Sequence, residues 1–261
     1  MPFPSFPSEI FGMFIEGLGE DQHSLRACSL VSSVFRHLCS PILYRDIALD
    51  REEKVVTFIQ FGERSDILRH VKSLSLTNPR NLHGILDTVS GKAPLETLCL
   101  HRVMFHAELL TAPLLSRLST VTALVLRGCR FRGFEDFLSF IGCFPLCEVL
   151  RLRGCTWAHR WREDAKSKIR SLPAYNISPV HLEITNNFTR ERGGEYCDQG
   201  KIFGAAWLGL AGLKSFTYTI GSEVESESVL ERIAASKLLE EIDISLSLSP
   251  PPRRNFGECE P

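Results

Sequence analysis

The sequence predicts an α/β protein: a short three-helix segment, then an array of parallel strands on a concave face with helices or loops on the convex one. Three observations predict it. One pattern of apolar anchors recurs eight times along the chain. Within each copy the anchors alternate with period two, as in a strand with one buried face. Ahead of the first copy the apolar spacing is that of a helix. These changes set the boundaries: a helical segment over 1–43, a strand array over 44–248, and a tail over 249–261. The SPPPRR run at the tail's start predicts an extended, poorly ordered end.

In FPSEIFGMFIEGL, Ile10, Phe14 and Leu18 stand at i, i+4 and i+8 with Ile15 beside them, which predicts one apolar helical face. Pro7, Ser8 and Glu9 suit the helix start, where a missing N–H costs nothing and an early acid complements the dipole. Gly17 and Gly19 mark its end. Leu25, Cys28, Val31, Phe35 and Leu38 continue the same periodicity, and Pro41 closes the segment. Helices this short must bury their apolar faces against something.

The array begins with Tyr44-x-x-Ile47-x-Leu49, Val71-x-x-Leu74-x-Leu76 and Leu95-x-x-Leu98-x-Leu100. Val121-x-x-Leu124-x-Leu126 and Cys147-x-x-Leu150-x-Leu152 follow. Looser copies are Leu182-x-Ile184, Leu213-x-x-Phe216-x-Tyr218 and Leu239-x-x-Ile242-x-Ile244. Successive middle anchors are 27, 24, 26, 26, 32, 34 and 26 residues apart. Most of these steps fall within the roughly 20–29 residues of a leucine-rich repeat, and the two long ones read as loop insertions. Helical spacing returns between strands: Val55, Phe58 and Ile59 within 51–62, and Phe134, Phe137, Leu138 and Ile141 within 133–144. Val229, Leu230 and Ile233 do the same within 226–239. In two central copies the string LRGC sets Cys129 and Cys155 three residues past the last anchor. This resembles the cysteine-containing class of leucine-rich repeat, in which a small thiol fills the turn beneath the strand. Val103 and Asn187 hold that column elsewhere.

The run FPSEIFGMFIEGL…SLRACSLVSSVFRHLCSPILYRDIAL resembles an F-box, whose usual form opens Leu-Pro-x-Glu-Ile and closes on a Leu-Tyr/Trp-Arg stretch. The likeness covers residues 5–49 and is greatest to F-box proteins abundant in fungi, and F-boxes are commonly followed by leucine-rich repeats. The sequence departs from the family at Phe6, where Leu is usual, and in the Gly-Leu-Gly close of the first helix. The resemblance implies the substrate-receptor subunit of a cullin–RING ubiquitin ligase of the SCF type. Its F-box would bind the ligase's adaptor, and through it a cullin, while the repeats hold a target protein. The residues it assigns to the adaptor are Phe6, Pro7, Ile10, Phe14, Ile15, Leu18, Leu25, Val31 and Phe35. Some of these, Val31 and Phe35 above all, equally suit joining the helices to the first repeat.

Strand residues between the anchors point away from the core: Ser75, Cys99, Val125, Arg151, Glu183, Thr217 and Asp243. His101, Arg127, Arg153, Thr185 and Ser245 lie beside them. Arg127, Arg151 and Arg153 fall on adjacent strands, which stack ~4.8 Å apart. With His101 they form a candidate target-binding surface, and guanidinium groups suit two-pronged capture of carboxylate or phosphate. An acidic or phosphorylated target segment is the functional expectation; solvated arginines on an exposed strand are the plainer one.

Net charge is −1, so whole-molecule attraction to nucleic acid or an anionic membrane is not expected. The charge is uneven, at −3 over 1–50, +5 over 119–170 and −5 over 222–248. Nine Cys, with a start that lacks the basic and apolar regions of a secretory signal, predict free thiols in the cytoplasm or nucleus. No cofactor and no enzymatic activity are expected, since a phosphate-cradling glycine loop, a nucleophile elbow, an HExxH helix and a CxxC pair are all missing. Cys143, Cys147, Cys155 and His159 match no usual metal-ligand spacing and read as packing residues. Trp157 and Trp161, beside His159 and Arg160, read as a surface loop rather than a single-strand nucleic-acid site. The alternative to the ligase receptor is a leucine-rich-repeat interaction scaffold acting outside a ligase, with the helices as its N-terminal cap.

Overall fold

A computed structural model of the chain describes residues 7–19, 21–64, 66–105, 116–157, 178–185, 210, 212–220, 233, 236 and 238–246. Helix α1 (Ser8–Gly17) starts after Pro7, whose extended backbone presents its carbonyl to the Ile10 N–H at 3.1 Å. Gly19, at φ 58°, turns the chain out of the helix. Asp21 caps α2 (Gln22–Val31), accepting from the N–H groups of His23 at 3.1 Å and Ser24 at 3.2 Å. The periodicity expected to run on to Leu38 is cut at Ser32. Its backbone is extended, and its hydroxyl caps α3 (Ser33–Leu43) through the Phe35 N–H at 3.3 Å. Pro41 does not close the segment. It sits in the last turn of α3, where a proline forfeits a single intrahelical bond, and the helix runs on to Leu43.

Ile15, Leu25 and Cys39 are buried between the three helices, with Leu18, Cys28, Phe35, Leu38, Ile42 and Leu43 packed around them. This small core is distinct from the main one.

The described strands are, in chain order, β1 (Asp46–Leu49), β2 (Ser73–Thr77), β3 (Thr97–His101), β4 (Ala123–Arg127), β5 (Arg130–Phe131), β6 (Val149–Arg153), β7 (Thr156–Trp157), β8 (His181–Thr185), β9 (Ser215–Ile220) and β10 (Glu241–Leu246). All but β5 and β7 form one parallel sheet in the order β1-β2-β3-β4-β6-β8-β9-β10. The chain is thus mixed α/β, and neighbours in that sheet follow chain order from the edge strand β1 to the edge strand β10. The eight middle anchors, Ile47, Leu74, Leu98, Leu124, Leu150, Leu182, Phe216 and Ile242, align residue for residue across the sheet. That row and the next, Leu49 through Tyr218, are buried over β2 to β9, because alternate side chains face one side. On β10 the same positions, Ile242 and Ile244, stay 53% and 37% exposed.

One residue past β2, β3, β4 and β6 the backbone is left-handed, at Asn78 (φ 47°), Arg102 (φ 54°), Gly128 (φ 60°) and Gly154 (φ 61°). Each donates its N–H to the last carbonyl of the next strand: His101, Arg127, Arg153 and Thr185, at 2.8, 2.7, 2.7 and 3.0 Å. The chain then runs along a second, two-stranded parallel ladder of β5 and β7, which the anchor pattern did not predict.

Behind the sheet, α4 (Glu52–Arg64) buries Val55 and Phe58, and α6 (Phe134–Ile141) buries Phe137, Leu138 and Ile141. Helix α5 (Leu82–Val89) was not expected from the sequence. Asn81 caps it through the Gly84 N–H at 2.9 Å, and Leu82, Ile85, Leu86 and Val89 are buried at i, i+3, i+4 and i+7. The helix expected over 226–239 falls largely outside the described residues, although Ile233 is buried. Phe6, His159, Trp161, Asn187 and the tail also lie outside them. No helix among the described residues is long and apolar enough to cross a membrane.

Candidate binding surfaces

Helix α1 is apolar almost all round, so its sequence leaves two choices of inward face. The inward stripe is Phe11, Ile15 and Leu18, not Ile10, Phe14 and Leu18. Ile15 is buried and Leu18 half-buried. Phe11 packs against Phe35 with ring centroids 5.0 Å apart. Ile10, Met13 and Phe14, at i, i+3 and i+4, face outward, with Phe14 55% exposed. Leu30 and Val31 close α2 at 79% and 71% exposure, and Val34 opens α3 half-exposed. The Phe11–Phe35 contact packs α1 against α3.

The residues that the F-box resemblance assigns to the adaptor therefore separate. Pro7, Ile10, Phe14 and Val31 are exposed, Leu18 and Phe35 are half-buried, and Ile15 and Leu25 are interior residues holding the helices together. Met13, Leu30 and Val34 belong to the exposed set and escaped the sequence reading. Their signal was there: apolar residues in excess of what one buried stripe can use.

The second surface is the outward face of the sheet. His101, Arg127 and Arg153 occupy one register row on β3, β4 and β6, and Arg151 lies two residues back on β6, opposite Glu183 of β8. Arg153 grips Glu183 through Nε to Oε1 and through Nη2 to Oε2, the latter at 2.9 Å. Arg151 Nε approaches Glu183 Oε2 at 3.4 Å. The hydrogen bonds to Glu183 raise the proton affinity of the Arg153 guanidinium. Burial, aided by the Arg127 and Arg102 charges, lowers that of the His101 imidazole. Sequence placed these residues on one face, and Arg151 meets Glu183 directly across the register; the Arg153 contact follows from side-chain reach over a two-residue offset, which spacing does not encode.

Among the described residues, four thiols donate to backbone carbonyls. Cys129 Sγ donates to the Leu100 carbonyl at 3.3 Å and Cys155 Sγ to that of Leu126 at 3.5 Å. Each thus ties its turn to the strand before. Cys147 and Cys143 donate to Val149 and Ser139. Burial pushes the Cys147 thiol up to about 11. Among the described residues no group of three or more His, Cys, Asp or Glu side chains could hold a metal.

Compared with known protein families and curated proteins, the chain matches none. Its two surfaces differ in chemistry. The helical one is chiefly apolar, with Glu9 and Glu16 on α1 beside it, and fits a partner helix or groove that removes its apolar area from water. The sheet offers guanidinium groups on β4 and β6, two strands bonded on both sides, fit for an extended or irregular acidic segment.

Proposed function

We propose that this chain is the substrate-receptor subunit of an SCF-type cullin–RING ubiquitin ligase. The N-terminal helices act as an F-box that docks on the ligase's adaptor, and through it a cullin. The array is a leucine-rich-repeat solenoid whose outward strand face holds a target protein. The chain does no bond chemistry itself; ubiquitin transfer belongs to the other subunits, in the cytoplasm or nucleus.

The observation that carries this reading is the exposed apolar set Ile10, Met13, Phe14, Leu30, Val31 and Val34 on a unit whose fully buried side chains, among the described residues, are Ile15, Leu25 and Cys39. Exposed apolar clusters of this kind mark interaction sites. The repeat reading draws support from the residue-for-residue alignment of the anchors and from the thiols of Cys129 and Cys155, each bonded to the preceding strand.

The test is affinity purification of the tagged full chain at physiological salt, scored for adaptor and cullin. Ile10→Asp combined with Phe14→Asp removes both proteins while the sheet's melting transition stays in place. Retention of the adaptor by that variant, or its absence from the parent chain, defeats the proposal. Partners captured without adaptor or cullin would instead favour the scaffold function.

A further inference from the structure

The three arginines on the outward face of β4 and β6 are used unequally. Arg153 and Glu183 are diagonal neighbours, offset by two residues across the β6–β8 pair, and their contact is two-pronged. Arg127 stands on β4 in the position that Arg153 holds on β6, and its diagonal neighbour across the β4–β6 pair is Arg151. Where Arg153 meets a carboxylate, Arg127 meets a second guanidinium. Among the described residues no carboxylate pairs with Arg127, while Arg151 and Arg153 share Glu183. The half-buried thiol of Cys99 on β3 feels the charges of both Arg127 and Arg151, and Val125, which pairs with Cys99 on one side and Arg151 on the other, is buried.

Diagonal neighbours on a sheet stand roughly 7–8 Å apart, within reach of long side chains, and like charges there repel. Taken in space, the groups run Arg153, Glu183, Arg151, Arg127, so the sign alternates until the last step. A carboxylate between Arg151 and Arg127 would continue it.

We infer that the gap between Arg127 and Arg151 seats an aspartate or glutamate carboxylate of a partner protein. Arg127 gives that group the two-pronged contact that Arg153 gives Glu183, and Arg151 is shared between the two carboxylates. His101 flanks Arg127 on its β3 side, away from Arg151. The seat takes a carboxylate because the neighbouring pair shows that fit, with two Arg153 nitrogens on the two oxygens of Glu183. This inference rests on the outward face being the target-holding surface.

The test titrates the full chain against four dye-labelled probes. Three are eight-residue peptides: alternating Glu–Gly, alternating Gln–Gly, and glycine with one phosphoserine. The fourth is an eight-nucleotide single strand. The Glu–Gly peptide binds and the Gln–Gly peptide does not. Arg127→Gln and Arg151→Gln each weaken binding roughly tenfold, as expected for a lost hydrogen bond between charged groups. Arg80→Gln, exposed and off these rows, changes it by less than about twofold. All three variants keep the parent's melting temperature. Equal losses for Arg80→Gln and Arg127→Gln would mean diffuse attraction and overturn the inference, as would tighter binding of the phosphoserine peptide or the oligonucleotide. Adaptor capture from the same preparations separates the two readings. Adaptor bound without Glu–Gly binding defeats the carboxylate seat alone; Glu–Gly bound without adaptor defeats the ligase role alone.

Discussion

Phe131→Ala removes the ring on which the turn region behind the sheet is built. Phe131 is 1% exposed on β5. It stacks on Phe105 at 4.3 Å and 5°, meets Phe137 edge-on at 5.3 Å and 82°, and contacts Phe140 at 6.0 Å. Deleting a buried phenyl group costs about 3–5 kcal/mol through lost transfer free energy and the cavity left behind. Three ring partners, each worth about 0.5–1.5 kcal/mol beyond area, place this site in the upper half of that range. At roughly 2–4 °C per kcal/mol for a chain of this size, the melting temperature falls by roughly 8–20 °C. Circular dichroism melts measure it, with Met104→Ala as control. Met104 bridges to the same ladder but is 57% exposed, so its loss stays within about 0.5 kcal/mol. A Phe131→Ala shift below roughly 3 °C would refute the packing of β5 against α6.

Asp21→Ala strips the cap from α2 and costs about 1 kcal/mol, read as earlier melting of helical signal in the N-terminal unit. Two Gly→Ala changes have opposite signs. Gly12→Ala, in α1 with nothing near its added carbon, stabilises that helix by about 0.5–1 kcal/mol. Gly128→Ala meets ordinary contact at Arg102 but is held left-handed, and so costs about 1 kcal/mol in thermal melts. Burial lowers the proton affinity of His70 and His101 from the ordinary imidazole value of 6.5, so the unfolded chain binds more protons just below that pH. Stability is therefore full above pH 6.5 and is lost as pH falls toward the depressed folded values. Urea midpoints at descending pH show this, and His70→Gln with His101→Gln flattens the profile. With its thiol near 11, Cys147 resists iodoacetamide at neutral pH until the chain unfolds, which mass spectrometry of alkylated peptides reads directly.

The sheet was legible because its signal is redundant. Each anchor row is a strand of period two, and every middle anchor from Ile47 to Ile242 falls in one register line. Helix α1 was legible as a helix but not in its orientation, since Phe11, Met13 and Phe14 give no polar face to point outward. Helix α5 is eight residues long and contains Gly84, which hides an Asn81 cap and a sound Leu82–Ile85–Leu86–Val89 stripe. The Ser32 break is a single extended residue inside an unbroken apolar period, so the hydroxyl cap decides it rather than hydrophobicity. On the outward face, sequence gathers the arginines onto neighbouring strands. That Glu183 takes its two-pronged bond from Arg153, two residues past its register partner Arg151, depends on side-chain reach that no linear pattern carries.

The left-handed residue after β2, β3, β4 and β6 has a consequence for how the molecule tolerates change in length. Its N–H clamps the end of one strand to the end of the next, so strand ends stay flush whatever the intervening chain does. The 32 residues from Leu150 to Leu182 leave the pairing as regular as the 26 from Leu124 to Leu150. Sequence can accordingly be spliced in or cut out between clamps as whole or uneven segments while the rows of outward side chains keep their alignment, and a new side-chain code can be written on that face one strand at a time.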